Sequence, residues 1–305
     1  MRNSDLPLVS VVMNCYDSET YLKEAIDSIY SQDFDDWEII FWDNKSTDGS
    51  AEIAKSYDSK LKYYLADTHT VLGAARNLAL SKAKGKYISF LDCDDLYLPN
   101  KLSLQVNLME TYGFPLSYGS AIIIDEKGAD VRKESVSYQS GNVFANLLSR
   151  YEINMQSVMI RRDILHHDQL SFDQSMRYCP DYKLFMEIAS RYDLGVIEDY
   201  IVKYRHTANS LSKQTTDYVS SEIKYTLDGI FNRDPNLKEI YSAQVELSYG
   251  KLHYYDTINA LLKNERVIAK RHMSEIKFQR WQYFLLYTFL YLPISDKLIL
   301  QILKR

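Results

Sequence analysis

Hydrophobic and polar positions follow two rhythms along the first third of the chain. Leu8 to Met13 is an apolar, valine-rich run, the pattern of a strand covered on both faces. Tyr21, Leu22, Ala25, Ile26 and Ile29 then recur at helical spacing, with Ser18 as a natural N-cap. Trp37 to Trp42 predicts a second strand ending at Asp43-Asn44, followed by a short helix through Tyr57 capped by Thr47 or Asp48. Leu61 to Leu65 reads as a third strand, Gly73 to Ala83 as a helix and Tyr87 to Leu91 as a fourth strand. Pro99 then opens a helix toward Tyr112. Repeated β-α units with short connections predict an α/β fold, a mostly parallel twisted sheet flanked by helices.

After Gly113 the alternation weakens. Ser117 to Ile124 predicts one or two strands, Asp125 to Gly141 is polar, and Asn154 to Ile160 predicts another strand. Asp181 to Arg191 has helical spacing, Val196 to Arg205 is strand-like, and from Tyr218 onward the pattern is wholly helical. These shifts divide the chain at about residues 1–115, 116–215 and 216–305.

The chemistry concentrates where strands end. Tyr87-Ile88-Ser89-Phe90-Leu91 runs directly into Asp92-Cys93-Asp94-Asp95, which places carboxylates at the carboxyl end of a buried strand. In open α/β sheets ligands sit at that rim. Clustered carboxylates repel unless a cation or a hydrogen-bond network holds them, and a divalent ion carrying a diphosphate would do so. The alternative is an acidic loop capping the next helix. Asp43 at the end of the second strand is either a turn residue or an acceptor for the imide N–H of a uracil-type base. Arg76, near the start of a helix, is either a solvated surface arginine or a fork for phosphate oxygens. No G-x-G-x-x-G follows the first strand and Gly85-Lys86 lacks a P-loop's upstream glycine, so neither common phosphate-binding loop is present.

Composition narrows the partners. The 305 residues are 46% hydrophobic, enough for one large domain or two small ones, and a net charge of −5 gives nucleic acid no global attraction. Residues 266–305 carry eight basic and two acidic side chains, a net +6 that leaves −11 for the remainder. Within them Trp281 to Leu292 is aromatic and apolar, flanked by Arg280 and Lys297, and too short to span a bilayer. It suits either an interfacial helix on the anionic inner face of a membrane or a helix buried against the domain or a second subunit, as in a homodimer. Three cysteines without a C-x-x-C pair argue against a disulfide framework or a structural zinc site. With no basic-apolar-small leader, a cytoplasmic setting is expected.

The ordered motifs Val9-Ser10-Val11-Val12 with Tyr16, Trp37-Glu38-Ile39-Ile40 with Asp43-Asn44-x-Ser46-x-Asp48, Gly73-x-x-Arg76-Asn77, and Gly85-x-Tyr87-Ile88-x-Phe90-Leu91-Asp92-x-Asp94-Asp95 resemble family-2 glycosyltransferases of the GT-A fold. The resemblance is dense over residues 7–112 and thin to about residue 212. It implies inverting transfer of a sugar from a nucleotide-diphosphate sugar, a UDP-sugar by default, to a hydroxyl of a glycan or lipid-linked acceptor in cell-surface polysaccharide synthesis. The implied cofactor is Mn2+ or Mg2+. Tyr16 and Asp43 fall on donor-base positions, Arg76 near the diphosphate, Asp92 on the ribose side and Asp94 on the metal position of the D-x-D motif, with Asp92 a second candidate ligand. The catalytic base is implied at Asp181, where Pro180 replaces the first acid of the family's usual pair. Asn154-Met155-Gln156-Ser157 with Arg161-Arg162 resembles the approach to the acceptor half. Tyr204-Arg205-His206…Ser210 resembles a motif near the donor phosphates, so His206 is a further candidate ligand. Other readings are a sugar nucleotidyltransferase, which would carry a glycine- and arginine-rich loop after the first strand, and a non-catalytic binding protein of this fold.

Overall fold

Strand β1 (Val9–Cys15) has parallel partners on both sides, β2 (Trp37–Asp43) and β4 (Tyr87–Phe90). The computed structural model describes residues 6–207 and 216–303; Ser210, Lys304 and Arg305 lie outside them. Helices α1 (Glu19–Tyr30), α2 (Ser50–Lys55) and α3 (Leu72–Leu80) connect β1, β2, β3 (Leu61–Leu65) and β4. The chain continues through β5 (Leu96–Tyr97), α4 (Lys101–Tyr112), β6 (Leu116–Ile124), β7 (Asp130–Glu134), α5 (Phe144–Ser149) and β8 (Met159–Arg161). It then forms α6 (Arg162–His167), α7 (Pro180–Ala189) and β9 (Gly195–Arg205). The sheet order is β3-β2-β1-β4-β8-β6-β9-β5, with β7 paired to β6.

The first four strands are mutually parallel, as their β-α connections require, and beyond β4 the sheet becomes mixed. β8 runs antiparallel to β4 and β6, while β9 runs parallel to β6. Val9 lies opposite both Trp37 and Tyr87, and Cys15 opposite Asp43. The carboxyl ends of β1, β2 and β4 therefore share one rim. Val11, Met13, Ile39 and Phe41 are fully buried with Leu22, Ile26 and Ile29 of α1, each such side chain stabilising the fold by roughly 1.5–3 kcal/mol.

Several boundaries differ from the sequence reading for local reasons. Ser18 sits at the N-cap of α1, but its hydroxyl donates to the Tyr16 carbonyl; Asp48 takes the Glu19 N–H at 2.9 Å instead. Asp48 also accepts from Ser50 at the start of α2. Helix α4 begins at Lys101, after an Asn100 cap, so Pro99 precedes it and Asp92 to Asp95 do not cap it. The segment 154–160 divides into a 3-10 turn, Met155–Ser157, and the short β8, because Asn154 Oδ1 accepts from Gln156 N and turns the backbone. The polar stretch 125–141 hides β7, an exposed and charged edge strand without an apolar face to reveal it.

The described residues form two compact units, residues 6–143 with 152–207, and residues 144–151 with 216–303. The second contains α5, α8 (Val219–Arg233), α9 (Pro235–Ile240), α10 (Ser242–Leu262), α11 (Arg266–Ile276), α12 (Trp281–Phe289) and α13 (Asp296–Leu303). Its core includes Leu261, Ala269, Met273, Ile276, Leu286 and Ile299, and Ser248 Oγ fastens α10 to the Leu148 carbonyl at 2.6 Å. Among the described residues no helix is long and apolar enough to cross a membrane.

The turn entering β4 rests on backbone proximity. Ser10 Oγ donates to Glu38 and accepts from Lys84 N and Gly85 N, and a Cβ on Gly85 would lie 2.5 Å from Ser10 N. Neither backbone can give way without breaking the β1–β4 pairing. Gly85→Ala is expected to cost ~1–3 kcal/mol, or more if the pairing shifts, measured as lowered urea and thermal unfolding midpoints.

Candidate active site

The turn after β4 is organised from below by one arginine. Arg205, at the end of β9, is 2% exposed. Its backbone N–H donates to Asp95 Oδ1 at 2.7 Å and its Nε to the Asp94 carbonyl at 2.8 Å. The remaining guanidinium nitrogens reach Glu24 at 2.9 Å and the carbonyls of Asp125 and Glu126, while the plane covers Tyr21. Asp95 is buried, with Oδ2 lacking a hydrogen-bond partner among the described residues. Burial pushes its carboxyl well above the usual range, the charges of Asp94 and Asp92 push the same way, and Arg205 opposes them.

Asp92 is gripped twice. Gln156, in the 3-10 turn, donates Nε2 to Asp92 Oδ2 at 2.6 Å and accepts the Asp92 N–H at 2.8 Å. Arg76 Nη2 lies 3.2 Å from Asp92 Oδ1. Arg76 is only 5% exposed and packs over the Phe172 ring, so it is not the solvated helix-surface side chain. The Gly73-x-x-Arg76-Asn77 spacing has a packing cause. Asn77 exchanges two hydrogen bonds with the Phe172 backbone, and a Cβ on Gly73 would come within 2.9 Å of the Asp173 carbonyl. These contacts bring the loop before α7, and hence Asp181 in its first turn, to the same rim.

Asp94 differs from its neighbours. Among the described residues no side chain donates to its carboxylate, and burial, with Asp92 beside it, raises its pKa from 3.8 to about 6. Asp181 is also raised, chiefly by desolvation; the nearby Arg76 charge opposes the shift and Asp92 adds to it. Arg76, Asp92, Asp94 and Asp181 thus form one electrostatic group.

The base-side candidates lie along the same rim. Tyr16 is exposed, its ring centroid 4.2 Å from that of His69. Asp43 is buried and engaged through both oxygens, to Ser46 N at 2.7 Å and to the Tyr63 hydroxyl at 2.6 Å. Burial and that hydrogen bond raise the Tyr63 pKa. His69, which no sequence pattern marks, contacts Asn44 through Nδ1 at 3.0 Å and faces Tyr16. Gln156 is the other residue that motif spacing leaves without a role; its complete burial distinguishes it only once the fold is known.

His206 follows β9 and is exposed, its ring against Tyr204. Its backbone N–H bonds to the Ile124 carbonyl at 2.9 Å, which sets the residue at the end of the β6–β9 pair. Among the described residues no three His, Cys, Asp or Glu side chains group as a ready-made metal cage. The donor set nevertheless fits a hard divalent ion. Asp94 offers a carboxylate without a side-chain donor, beside Asp92 and next to the buried Asp95, whose mutual repulsion a cation would relieve. The remaining coordination positions would fall to diphosphate oxygens and water.

Two thiols lie beneath this rim. Cys93 Sγ donates to the Asn14 carbonyl at 3.3 Å, and Cys15 Sγ is 3.7 Å from Ser46 Oγ. A hydrogen bond with Cys93, joined by Ser50 and Ser46, draws the Cys15 thiol down to about 7 against the opposing effect of burial.

A family model, glycosyl transferase family 2, matches residues 10–169, just over half of the chain. The chain belongs to that family. The match contains every donor-side candidate from Tyr16 to Asp94 and stops short of Asp181 and His206. An uncharacterized glycosyltransferase of Methanocaldococcus jannaschii is 29% identical over 98% of this chain and 93% of its own length. The Escherichia coli UDP-Glc:alpha-D-GlcNAc-diphosphoundecaprenol beta-1,3-glucosyltransferase WfgD is 26% identical over 83% of this chain and 97% of its own. The fold matches the mannosyltransferase PcManGT of Pyrobaculum calidifontis, solved with GDP-Man and Mn2+. The TM-score is 0.58 at 16% identity, over 97% of this chain and 87% of that one. The expected GT-A fold and glycosyltransferase class are therefore established, and the sugar nucleotidyltransferase and non-catalytic readings fall away.

Because the Asp94 carboxyl is raised to about 6, its ionised form disfavours the ligand-free fold above that pH and becomes available to a cation there. Mn2+ is expected to raise the thermal midpoint above this pKa and to lose the effect as pH falls through it. A titration by differential scanning fluorimetry, repeated on Asp94→Asn, measures the difference.

Proposed function

We propose that this glycosyltransferase moves a sugar, with inversion, from a UDP-sugar to a hydroxyl of a lipid-linked glycan. One observation carries the reading: Arg76, Asp92, Asp94 and Asp181 form a single electrostatic group at the carboxyl ends of parallel strands. The UDP-Glc and diphosphoundecaprenol in the name of the WfgD relative support the donor and acceptor classes.

In this reading Tyr16 and Asp43 hold the base. Tyr16 offers an aromatic face supported by His69, and Asp43 retains acceptor capacity beyond its bonds to Ser46 and Tyr63. Asp92, braced by Gln156, lies on the ribose side. Asp94, with Asp92 and His206 as further candidates, would hold Mn2+ or Mg2+, which when bound supplies Lewis-acid stabilisation of the diphosphate. Arg76 places a fixed positive charge where the leaving diphosphate gathers negative charge, and it is already desolvated. Asp181 accepts the proton as the acceptor hydroxyl attacks the anomeric carbon from the face opposite the diphosphate. The desolvation that raises its pKa strengthens it as a base, while the Arg76 charge favours its ionised form.

Turnover of UDP- and GDP-sugars by hydrolysis, with and without Mn2+, tests the donor half without an acceptor. Asp94→Asn is expected to reduce metal-dependent nucleotide binding and turnover together. Asp181→Asn should leave UDP affinity within a few-fold and lower transfer by ~10²–10⁴. Equal loss of binding in both variants, or unchanged transfer in Asp181→Asn, would remove the assigned roles.

The helical unit supports a membrane-surface location. Phe278 is 81% exposed and Trp281 70% exposed, Phe278 stacks on Phe284, and Lys277 lies over the Phe278 ring. Aromatic anchors among cations match the anionic head-group region of a bilayer. Replacing both Phe278 and Trp281 by Glu is expected to lower co-sedimentation with phosphatidylglycerol vesicles at least ~10-fold, about 1.4 kcal/mol or more. If the face instead joins two copies of the chain, analytical ultracentrifugation will show a dimer that the same double variant dissociates.

A further inference from the structure

Two buried thiols bracket the rim on adjacent strands, and the mechanism above uses neither. β1 and β4 pair in parallel with Val12 opposite Phe90, and three further residues along each chain reach Cys15 and Cys93. Neighbouring strands lie ~4.8 Å apart, within the ~4.4–6.8 Å between Cα atoms that a disulfide spans. Beyond the last paired residues, Leu91 N still bonds to the Val12 carbonyl and Cys93 Sγ to the Asn14 carbonyl, so the second chain continues alongside the first. The two thiols lie near enough for each to shift the other's ionisation, and among the described residues no cysteine is in a disulfide.

The geometry points to Cys15 and Cys93 as a redox pair whose disulfide distorts the donor site. Cys93 lies between Asp92 and Asp94, and Cys15 immediately precedes Tyr16, with its carbonyl accepting from Asn44 N at 2.8 Å. Closing the bond shortens the separation from a thiol–thiol contact to ~2.05 Å, a contraction of more than ~1 Å that must be absorbed by the turn or the strand end. Displacements of about that size at a reacting centre cost ~10²-fold. The strain passes into the turn, because Cys93 lies beyond the last paired residue of β4 while Cys15 is still paired with Asp43 of β2. The pull therefore falls on Asp92 and Asp94.

The oxidant is a small peroxide. Cys15 Sγ, as thiolate, attacks one peroxide oxygen, forming a sulfenic acid and releasing water after protonation. Cys93 Sγ then attacks that sulfur, the S–S bond forms and a second water leaves. The two thiols lose two electrons and two protons in total, and one hydrogen peroxide becomes two waters. Burial of both sulfurs excludes bulky oxidants and leaves a small peroxide as the class that can reach them.

The effect on donor binding rests on the proposed function; the bond itself does not, and mass spectrometry reads it separately. The full chain is treated with hydrogen peroxide, denatured, alkylated and digested without reduction. The expected product is a Cys15–Cys93 linked peptide lighter by two hydrogens, with Cys179 alone alkylated, and dithiothreitol should restore three alkylated cysteines. Calorimetry with UDP and Mn2+ should show at least ~10-fold weaker binding after oxidation, recovered on reduction and absent in Cys93→Ser, or in Cys93→Ala if the serine variant does not fold. Three free thiols, a lone sulfenic or sulfinic acid, a link through Cys179, or a linked protein that binds UDP as tightly as the reduced one would each overturn the inference. Failure of the reduced protein to bind any nucleotide would count against the proposed donor, and the linked peptide would still decide whether the thiols pair.

Discussion

The rim of this sheet exists because Arg205 neutralises and fixes a turn that would otherwise repel itself. Asp92, Asp94 and Asp95 fall within four consecutive positions, and the last is buried. A buried carboxyl is tolerated only where donors and charge meet it. Arg205 meets that need from a strand distant in sequence. Its backbone N–H bonds to Asp95 and its side chain to the Asp94 carbonyl, while Glu24 and two carbonyls near the end of β6 occupy the rest of the guanidinium. One residue therefore joins α1, β6, β9 and the acidic turn. The cost of burying it is offset by using nearly all its donors.

A second polar assembly stiffens the strand that delivers the turn. Lys101 is fully buried, and its Nζ bonds to Ser89 Oγ at 2.7 Å and Gln105 Oε1 at 2.6 Å while lying over the Tyr97 ring. Desolvation drives its pKa well below the usual lysine value. Gln105 in turn reaches the carbonyls of Ser117 and Ser157, and Tyr97 the carbonyl of Phe90. Such a network, with its members satisfied, ties β4, α4, β6 and the turn carrying Gln156 into one arrangement. Asp92 is then held by Gln156 from a rigid base, which suits a site where small displacements matter.

The parallel half of the fold was legible because each of its signals is local. Valine-rich runs ending in acids, helical spacing and turn residues over 8–112 predict β1 to β4 and their helices within a few residues. The mixed half was less so. β7 has no apolar face, and the turn at Met155 depends on the Asn154 side chain. The site divides in the same way. Asp43, Asp92 and Asp94 stand at strand ends where a sequence can place them, but the burial of Arg76 depends on Phe172 and Asn77. His69, Gln156 and the Cys15–Cys93 contact arise only when separate segments meet, so no spacing along the chain encodes them.

Carboxyl groups of one chemical type are thereby given different characters by their surroundings. Asp95 is buried against Arg205 and belongs to the framework; Asp92 is fixed by Arg76 and Gln156. Among the described residues no side chain donates to Asp94, which is raised to about 6, the environment of a group waiting for a cation. Asp181 is raised by desolvation yet lies near the Arg76 charge, which favours its ionised form without cancelling its affinity for a proton. The division follows from which neighbour each acid meets, not from the acids themselves. A chain that kept every aspartate but lost Arg76, Gln156 or Arg205 would retain the motif and lose the differences between its members.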